Sequence, residues 1–291
     1  MRSILKGIGA RAPDPDLSYL VGLNELTVID RWALERRARA WARPVYLGDK
    51  VALTRILGRY KLFVSTQDVG FGAHVMLDGV WESWLTVFMA RRVREGMRVV
   101  DAGANHGYYT VLFAELVGAA GRVAAFEPNT ALARLLHRSV NVNGFAGRVE
   151  VHEVALGAAE ANVELHASLE EPKNGVVGPL GSGGEVVRLR ALADVLAHWD
   201  GLDFLKIDVE GAEEYVIAGA WPLLERFRPS MILEFNVGRT ADGSGLLDRL
   251  AHLYGPPSAV DHEGELVPVT RESLLDPRRV EDWLLYYARP A

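Results

Sequence analysis

A chain of 291 residues with 49% hydrophobic content can bury one large core or two small ones. Its formal net charge of -6 argues against a nucleic-acid partner held mainly through phosphates, and the absence of cysteine removes disulfides, thiolate metal sites and thiol nucleophiles. The start, MRSILKGIGARAPDPD, lacks the apolar core of a secretory leader, and no stretch has the apolar length of a bilayer span, so a cytoplasmic protein without a membrane span is expected.

The APDPD stretch predicts a loop, after which Asp30 is placed to cap a helix running to about Ala42 that Pro44 closes. That helix carries arginines at 31, 36, 37, 39 and 43, but Asp30 and Glu35 dilute the charge and its apolar face is short, which favours a solvated basic face. Residues 60–80 alternate in strand fashion between glycines, and Glu82 to Arg94 reads as helical. From Arg98 onward strands alternate with helices, the pattern of a parallel α/β sheet covered on both faces. Residues 1–95 are therefore expected to form an α+β appendage on the substrate side, and 96–291 a Rossmann-like, mostly parallel domain.

Arg98 to Ala102 is an apolar strand that runs into Gly103-Ala104-Asn105-His106-Gly107, and Tyr108 to Val117 follows at helical spacing. The glycines allow a sharp turn and close approach of backbone to a ligand. A second strand, Arg122 to Phe126, ends at Glu127, 26 residues after Asp101, where a carboxylate can accept bonds from both ribose hydroxyls. The third glycine of a dinucleotide fingerprint is absent, as is a P-loop, so an adenosine-bearing cofactor without a long phosphate run fits the turn. Val149 to Val154 predicts a third strand, with Glu153 near the adenine amine. Five glycines and two prolines in EEPKNGVVGPLGSGGE, residues 170–185, argue against a regular element and for a lid or binding loop. The strands Phe204 to Ile207 and Met231 to Phe235 are expected to be neighbours, each ending in acids: Asp208 and Glu210 after the first, Glu234 and then Asn236 on the second. The carboxyl end, SAVDHEGELVPV and EDWLLYYARP, predicts two strands joined by a longer excursion.

DAGANHG, AFEPN, KIDVEGAE and ILEFN, in that order, closely resemble the four motifs of the FkbM-type methyltransferases, a class I family, over about Gly70 to Ala291. Two positions depart from the family pattern: His106, where an aliphatic residue is usual, and Ala191, where an acid is often found. The resemblance implies a class I methyltransferase sheet with an antiparallel C-terminal strand. It also implies transfer of a methyl group from S-adenosyl-L-methionine, usually to a hydroxyl of a sugar, glycan or secondary metabolite. Asp101, Gly103, Ala104, Asn105, Gly107, Glu127, Pro128, Asn129 and Glu153 are then the cofactor-binding residues. Glu82, in a G-x-W-E pattern, is expected near the methionine end, and His74 near the mouth of the site.

A neutral alcohol needs a base or a metal to lose its proton as the new bond forms. Asp208 and Glu210 are the candidate bases, with His106 a third because an imidazole titrates near neutral pH. Asp208, Glu234 and Asn236 are an oxygen set that leaves Mg²⁺ open. Glu213 and Glu214 fit equally well as acids at a helix start. Rival readings are a nicotinamide-dependent oxidoreductase, opposed by the missing glycine; a base methyltransferase, opposed by IDVEG where N/D-P-P-Y/F is usual; and a non-catalytic cofactor-binding protein, opposed by the intact acids. The acceptor molecule and the oligomeric state, a homodimer included, are not specified by the sequence.

Overall fold

The computed structural model describes residues 20–167 and 175–290; APDPD and the first part of the 170–185 stretch lie outside them. Among the described residues eight strands form the main sheet. Their order is Leu266–Pro268, Ser258–Val260, Trp283–Tyr287, Ser230–Phe235, Phe204–Ile207, Arg98–Ala102, Arg122–Phe126, Val149–His152. The last five are parallel, and Trp283–Tyr287 runs antiparallel between Ser230–Phe235 and Ser258–Val260. This is the Rossmann-like class I arrangement, with a hairpin strand added at one edge.

The chain starts this sheet in the middle, walks outward to Val149–His152, and then returns to Phe204–Ile207 on the other side of Arg98–Ala102. A crevice opens at such a switch point, outside the carboxyl ends of the strands, and Gly103 and Asp208 are the residues that follow these two strands. Side chains alternate between faces with a period of two. Val99, Val123 and Phe204 pack on one side, in a cluster that also contains Leu34, Ile56, Phe71 and Phe88. Val100, Ala124 and Leu205 pack on the other, against the helices Glu213–Phe227 and Gly243–Tyr254. The segment before Arg98 thus shares one core with the sheet. Its helix Arg31–Trp41 is capped by the Asp30 carboxylate, which accepts the Ala33 N–H at 2.9 Å.

Two segments differ from the sequence expectation. Within 60–80 only Tyr60–Ser65 is a strand, and Phe71–Asp78 is a helix. The chain reverses at Asp68, whose carbonyl accepts the Ala73 N–H and whose carboxylate accepts that of Gly70. Gly72 lies so close to Ser65 that a Cβ would come within 2.8 Å of its carbonyl oxygen, so the glycines here serve helix packing. Within 170–185, Val176–Gly178 is a strand, and Glu185–Arg190 another, in a four-stranded sheet with Ala155–Leu156 and Ala161–His166. The turn between them is regular because buried Glu164 accepts the N–H groups of Gly181, Gly183 and Gly184. Those bonds hold its carboxyl down to about 2. No helix among the described residues is long and apolar enough to cross a membrane.

Candidate active site

The crevice holds a cavity lined at one end by Gly103, Ala104, Asn105, Glu127, Pro128 and Asn129. Gly103 has φ 78°, and a Cβ there would fall 1.7 Å from the Asp208 carbonyl oxygen, so the turn closes only on glycine. Glu127 is buried, and its two carboxylate oxygens accept the Asn105 N–H at 2.8 Å and the Asn129 N–H at 2.9 Å. Burial pushes its carboxyl up to about 7 against the opposing pull of those two bonds. Each oxygen retains a second acceptor direction, the chemistry a ribose diol requires. Leu165, Val177 and Val154 give this end an apolar wall, so the small sheet reaches the cavity that the 170–185 stretch was expected to cover. The Asn129 side chain is committed to capping Thr130–Val142, and Gly107, at φ 95°, caps Tyr108–Leu116. Glu153 does not line the cavity: the strand stops at His152, and the exposed Glu153 side chain faces His137 at 3.7 Å.

At the other end stand Lys206, Asp208, Glu210 and Glu234, with Glu82 and Tyr109 beside them. Lys206 lies opposite Asp101 in the parallel register. Its buried ammonium is 3.5 Å from Asp101 and 3.2 Å from Asp208. Burial works to lower the Lys206 pKa, but the Asp208 and Asp101 charges outweigh it and keep the ammonium protonated. Asp101 itself is beneath the cavity, fully buried and bonded to the Thr110 hydroxyl at 2.6 Å, and burial raises its carboxyl. Glu82, at the left-handed start of Ser83–Ala90, accepts the Tyr109 hydroxyl at 2.8 Å.

Asp208, Glu210 and Glu234 offer oxygens all within 4.8 Å of one another. Arg239 pairs with Glu210, with Glu234 at 3.0 Å and with Asp282. Burial and the charges of Asp208, Asp282 and Glu210 raise the Glu234 carboxyl well above its ordinary range, with Arg239 opposing. The oxygen set expected from sequence is thus corrected: Asn236 spends its amide on Val280 and Asp282 and its oxygen on the Gly238 N–H, and Glu210 takes the third place. With a guanidinium already bridging two of the three carboxylates, the residues do not fit a resident Mg²⁺.

His106 is also corrected. It is fully buried away from the cavity, stacked on Phe71 with ring centroids 5.1 Å apart. Nε2 accepts the Ser65 N–H at 3.1 Å and Nδ1 lies 2.6 Å from the Asn105 side-chain oxygen. Burial drives its pKa down to about 3, so it is a neutral structural ring with no lone pair for a substrate. Glu213 accepts the Val209 and Gly211 N–H groups and Glu214 that of Asp242, which are loop-holding roles. His74 lies beside Trp81 in an adjoining cavity. Sequence reasoning missed Arg239, Tyr109 and Trp81; it offered Lys206 as a pairing partner for the strand-end carboxylates, which the structure shows for Asp208, but not for the buried Asp101. The alternation of Asp101 and Lys206 toward one face was the signal for that second pairing.

A relative from Aeropyrum pernix, protein-L-isoaspartate O-methyltransferase, is 33% identical over 125 residues, 41% of this chain and 47% of its own length. The chain thus spans about half the length of the curated relative it matches. Among solved structures, methyltransferase FkbM from Methylobacillus flagellatus KT is 19% identical, covers 66% of this chain and 43% of its own, and superposes with a TM-score of 0.44. Aeropyrum pernix fibrillarin, solved with natively bound S-adenosyl-L-methionine, is 15% identical over 84% of this chain and 99% of its own, with a TM-score of 0.38. The methyltransferase FkbM domain matches residues 101–262, which run from the buried Asp101 through both ends of the cavity, and by that match the chain belongs to the FkbM methyltransferase family.

Proposed function

We propose that this protein transfers a methyl group from S-adenosyl-L-methionine to a hydroxyl oxygen of a small-molecule or glycan acceptor. The observation that carries the proposal is the two-ended cavity: a buried carboxylate, Glu127, at one end and the convergent Asp208, Glu210 and Glu234 at the other. The cofactor supplies a methyl already activated on sulfonium sulfur. Glu127 would accept the ribose hydroxyls, Gly103 and Ala104 would let the backbone approach, and Leu165 and Val177 would flank the purine.

The chain must then align the acceptor oxygen and take its proton. Arg239 pairs with Glu210 and Glu234, whereas Asp208 pairs with Lys206, and in this reading Asp208 is the base. Glu210 and Glu234 share the charge around it, so the proton is held by the group as a unit. Residues 96–291 carry the cofactor here, and 1–95 the acceptor side.

Calorimetry with S-adenosylhomocysteine and transfer of a tritiated methyl group to candidate alcohols test the proposal. The expected result is binding by the wild type and, for Asp208→Asn, loss of at least a hundredfold in turnover at unchanged affinity. A wild type that binds no cofactor removes the reading. An Asp208→Asn variant with near-normal turnover removes Asp208 as base.

A further inference from the structure

Carboxylates as close as those at one end of the cavity need a cation among them. Asp208, Glu210 and Glu234 present oxygens within 4.8 Å of one another, a spacing that a hard divalent ion can gather. The group holds a guanidinium instead. One terminal nitrogen of Arg239 donates to Glu210, and the other donates to Glu234 at 3.0 Å and to Asp282. The side chains of Glu234, Glu210 and Arg239 are 16%, 22% and 33% exposed, so the network is partly withdrawn from water, unlike a solvated surface pair. A planar fork with five diverging N–H groups can serve several carboxylates at once, which the point charge of an ammonium does less well.

The chain fixes this guanidinium from two sides. Arg239 lies in the turn after Ser230–Phe235, where its N–H and the Thr240 hydroxyl both donate to the Asn236 carbonyl, at 3.0 and 2.8 Å. The Asn236 amide donates at 2.8 Å to the same Asp282 oxygen that Arg239 uses, which ties the turn to the outer acid. On the other side Gly211, at φ 100°, packs so closely that a Cβ there would stand 3.5 Å from the Arg239 Cβ and carbonyl oxygen. We infer that Arg239 is the resident cation of the site, standing where an oxygen set of this kind would hold a divalent ion, so that the carboxylate end is assembled around a guanidinium. Its consequence for catalysis rests on the methyl-transfer reading above. There Arg239 is a positioning residue: it fixes Glu210 and Glu234 and leaves Asp208, paired with Lys206, to take the acceptor proton. A guanidinium donates hydrogen bonds but has no vacant coordination position, so removal of that proton falls to the carboxylate.

Mn²⁺ is the probe, with the free ion counted by electron paramagnetic resonance in the presence of S-adenosylhomocysteine. Arg239→Gln and Arg239→Met remove the charge and should bind one Mn²⁺ at least about tenfold more tightly than the wild type. Adding Asp208→Asn to Arg239→Gln should remove the gain, which places the ion among the three acids. Arg239→Lys keeps a cation in the group and should bind Mn²⁺ several-fold more weakly than Arg239→Gln, a difference that a merely structural role would not produce. Folded neutral variants that bind Mn²⁺ no better than the wild type, or a gain that survives Asp208→Asn, would overturn the inference. The wild type also supplies a test that does not depend on how the Arg239 variants fold: Mn²⁺ bound at micromolar concentration and lost in Asp208→Asn would show that a metal takes the place assigned to Arg239. Calorimetry of wild-type S-adenosylhomocysteine binding is read separately. Its failure sinks the methyl-transfer reading, whereas the Mn²⁺ results decide the identity of the cation.

Discussion

Replacing Lys206 with methionine isolates the charge that joins the two strands of the switch point. The ammonium lies 3.5 Å from Asp101 and 3.2 Å from Asp208, and it also donates to the Gly103 carbonyl at 3.3 Å. Asp101 is fully buried, and its Oδ1 has no hydrogen-bond partner, so Lys206 is the counter-charge on that oxygen. Removing one member of a buried pair costs about 3–5 kcal/mol. The cost depends on pH because Asp101 can escape it by taking a proton. Burial already raises its carboxyl with Lys206 opposing, and without Lys206 the folded value rises further above the unfolded one. A group raised in this way lets the fold keep its full stability below the unfolded pKa. That stability is lost as pH rises toward the folded value, by at most about 1.4 kcal/mol per pH unit. Lys206→Met should therefore be near wild type at pH 4.5 and worse by several kcal/mol at pH 8, as urea unfolding followed by circular dichroism would read. Adding Asp101→Asn should restore about 2 kcal/mol or more at pH 8. A penalty equal at both pH values, or no recovery in the double variant, would refute the reasoning.

Glu127→Gln should weaken S-adenosylhomocysteine roughly 10- to 150-fold, the loss of about 1.5–3 kcal/mol for bonds to a charged acceptor, by calorimetry. Because the wild-type carboxyl titrates at about 7, wild-type affinity should rise between pH 6 and 8 while that of the variant stays flat. Gly103→Ala should abolish cofactor binding, since its Cβ would meet backbone at 1.7 Å, whereas Gly107→Ala meets only the end of Leu136 at 2.3 Å and should lose about 1–2 kcal/mol of stability. His106 stays neutral when folded down to about pH 3, while the unfolded chain takes its proton near 6.5, so stability should fall as pH drops through that window. His106→Gln should flatten that acid slope and leave the shape of the turnover–pH profile unchanged; a shifted profile would return His106 to the chemistry.

What the sequence made legible was local. Gly103 and Glu127 are set by strand, turn and strand within a span of thirty residues, and the apolar alternation on both sides defines the layers. Direction beyond those elements was not legible, because it depends on partners distant in the chain. His106 turns away from the crevice to meet the Ser65 N–H, a contact spanning 41 residues. Asn236 and Glu210 exchange places because Arg239, in the turn after the strand, draws Glu210 and Glu234 together, while Asp282 takes the Asn236 amide across 46 residues. Glycine-rich 170–185 read as irregular because the Glu164 carboxylate that organises its turn comes from a neighbouring strand, 17–20 residues earlier.

Backbone strain ties these displaced side chains to the cavity. Glu82, Asn105 and Glu210 are non-glycine residues with φ of 39°, 52° and 55°, and all three line it. Left-handed backbone at such residues costs about 1–3 kcal/mol each and persists only where neighbours enforce it. For Asn105 the enforcing groups are the His106 ring and backbone N–H, both on its side-chain oxygen, and the result is that the Asn105 N–H points at Glu127. In the proposed reading the buried imidazole would act on the cofactor through geometry, by fixing the Asn105 N–H that faces Glu127, without contact. Asn105→Gly removes the strain and the anchoring oxygen together, so its effects should separate. Stability by urea unfolding should change by less than about 1 kcal/mol, since relief of the backbone offsets the lost bonds. S-adenosylhomocysteine affinity should fall several-fold, since the N–H facing Glu127 is no longer fixed. A variant stabilised by about 2 kcal/mol with unchanged affinity would show that the His106–Asn105 contact does nothing for the cradle.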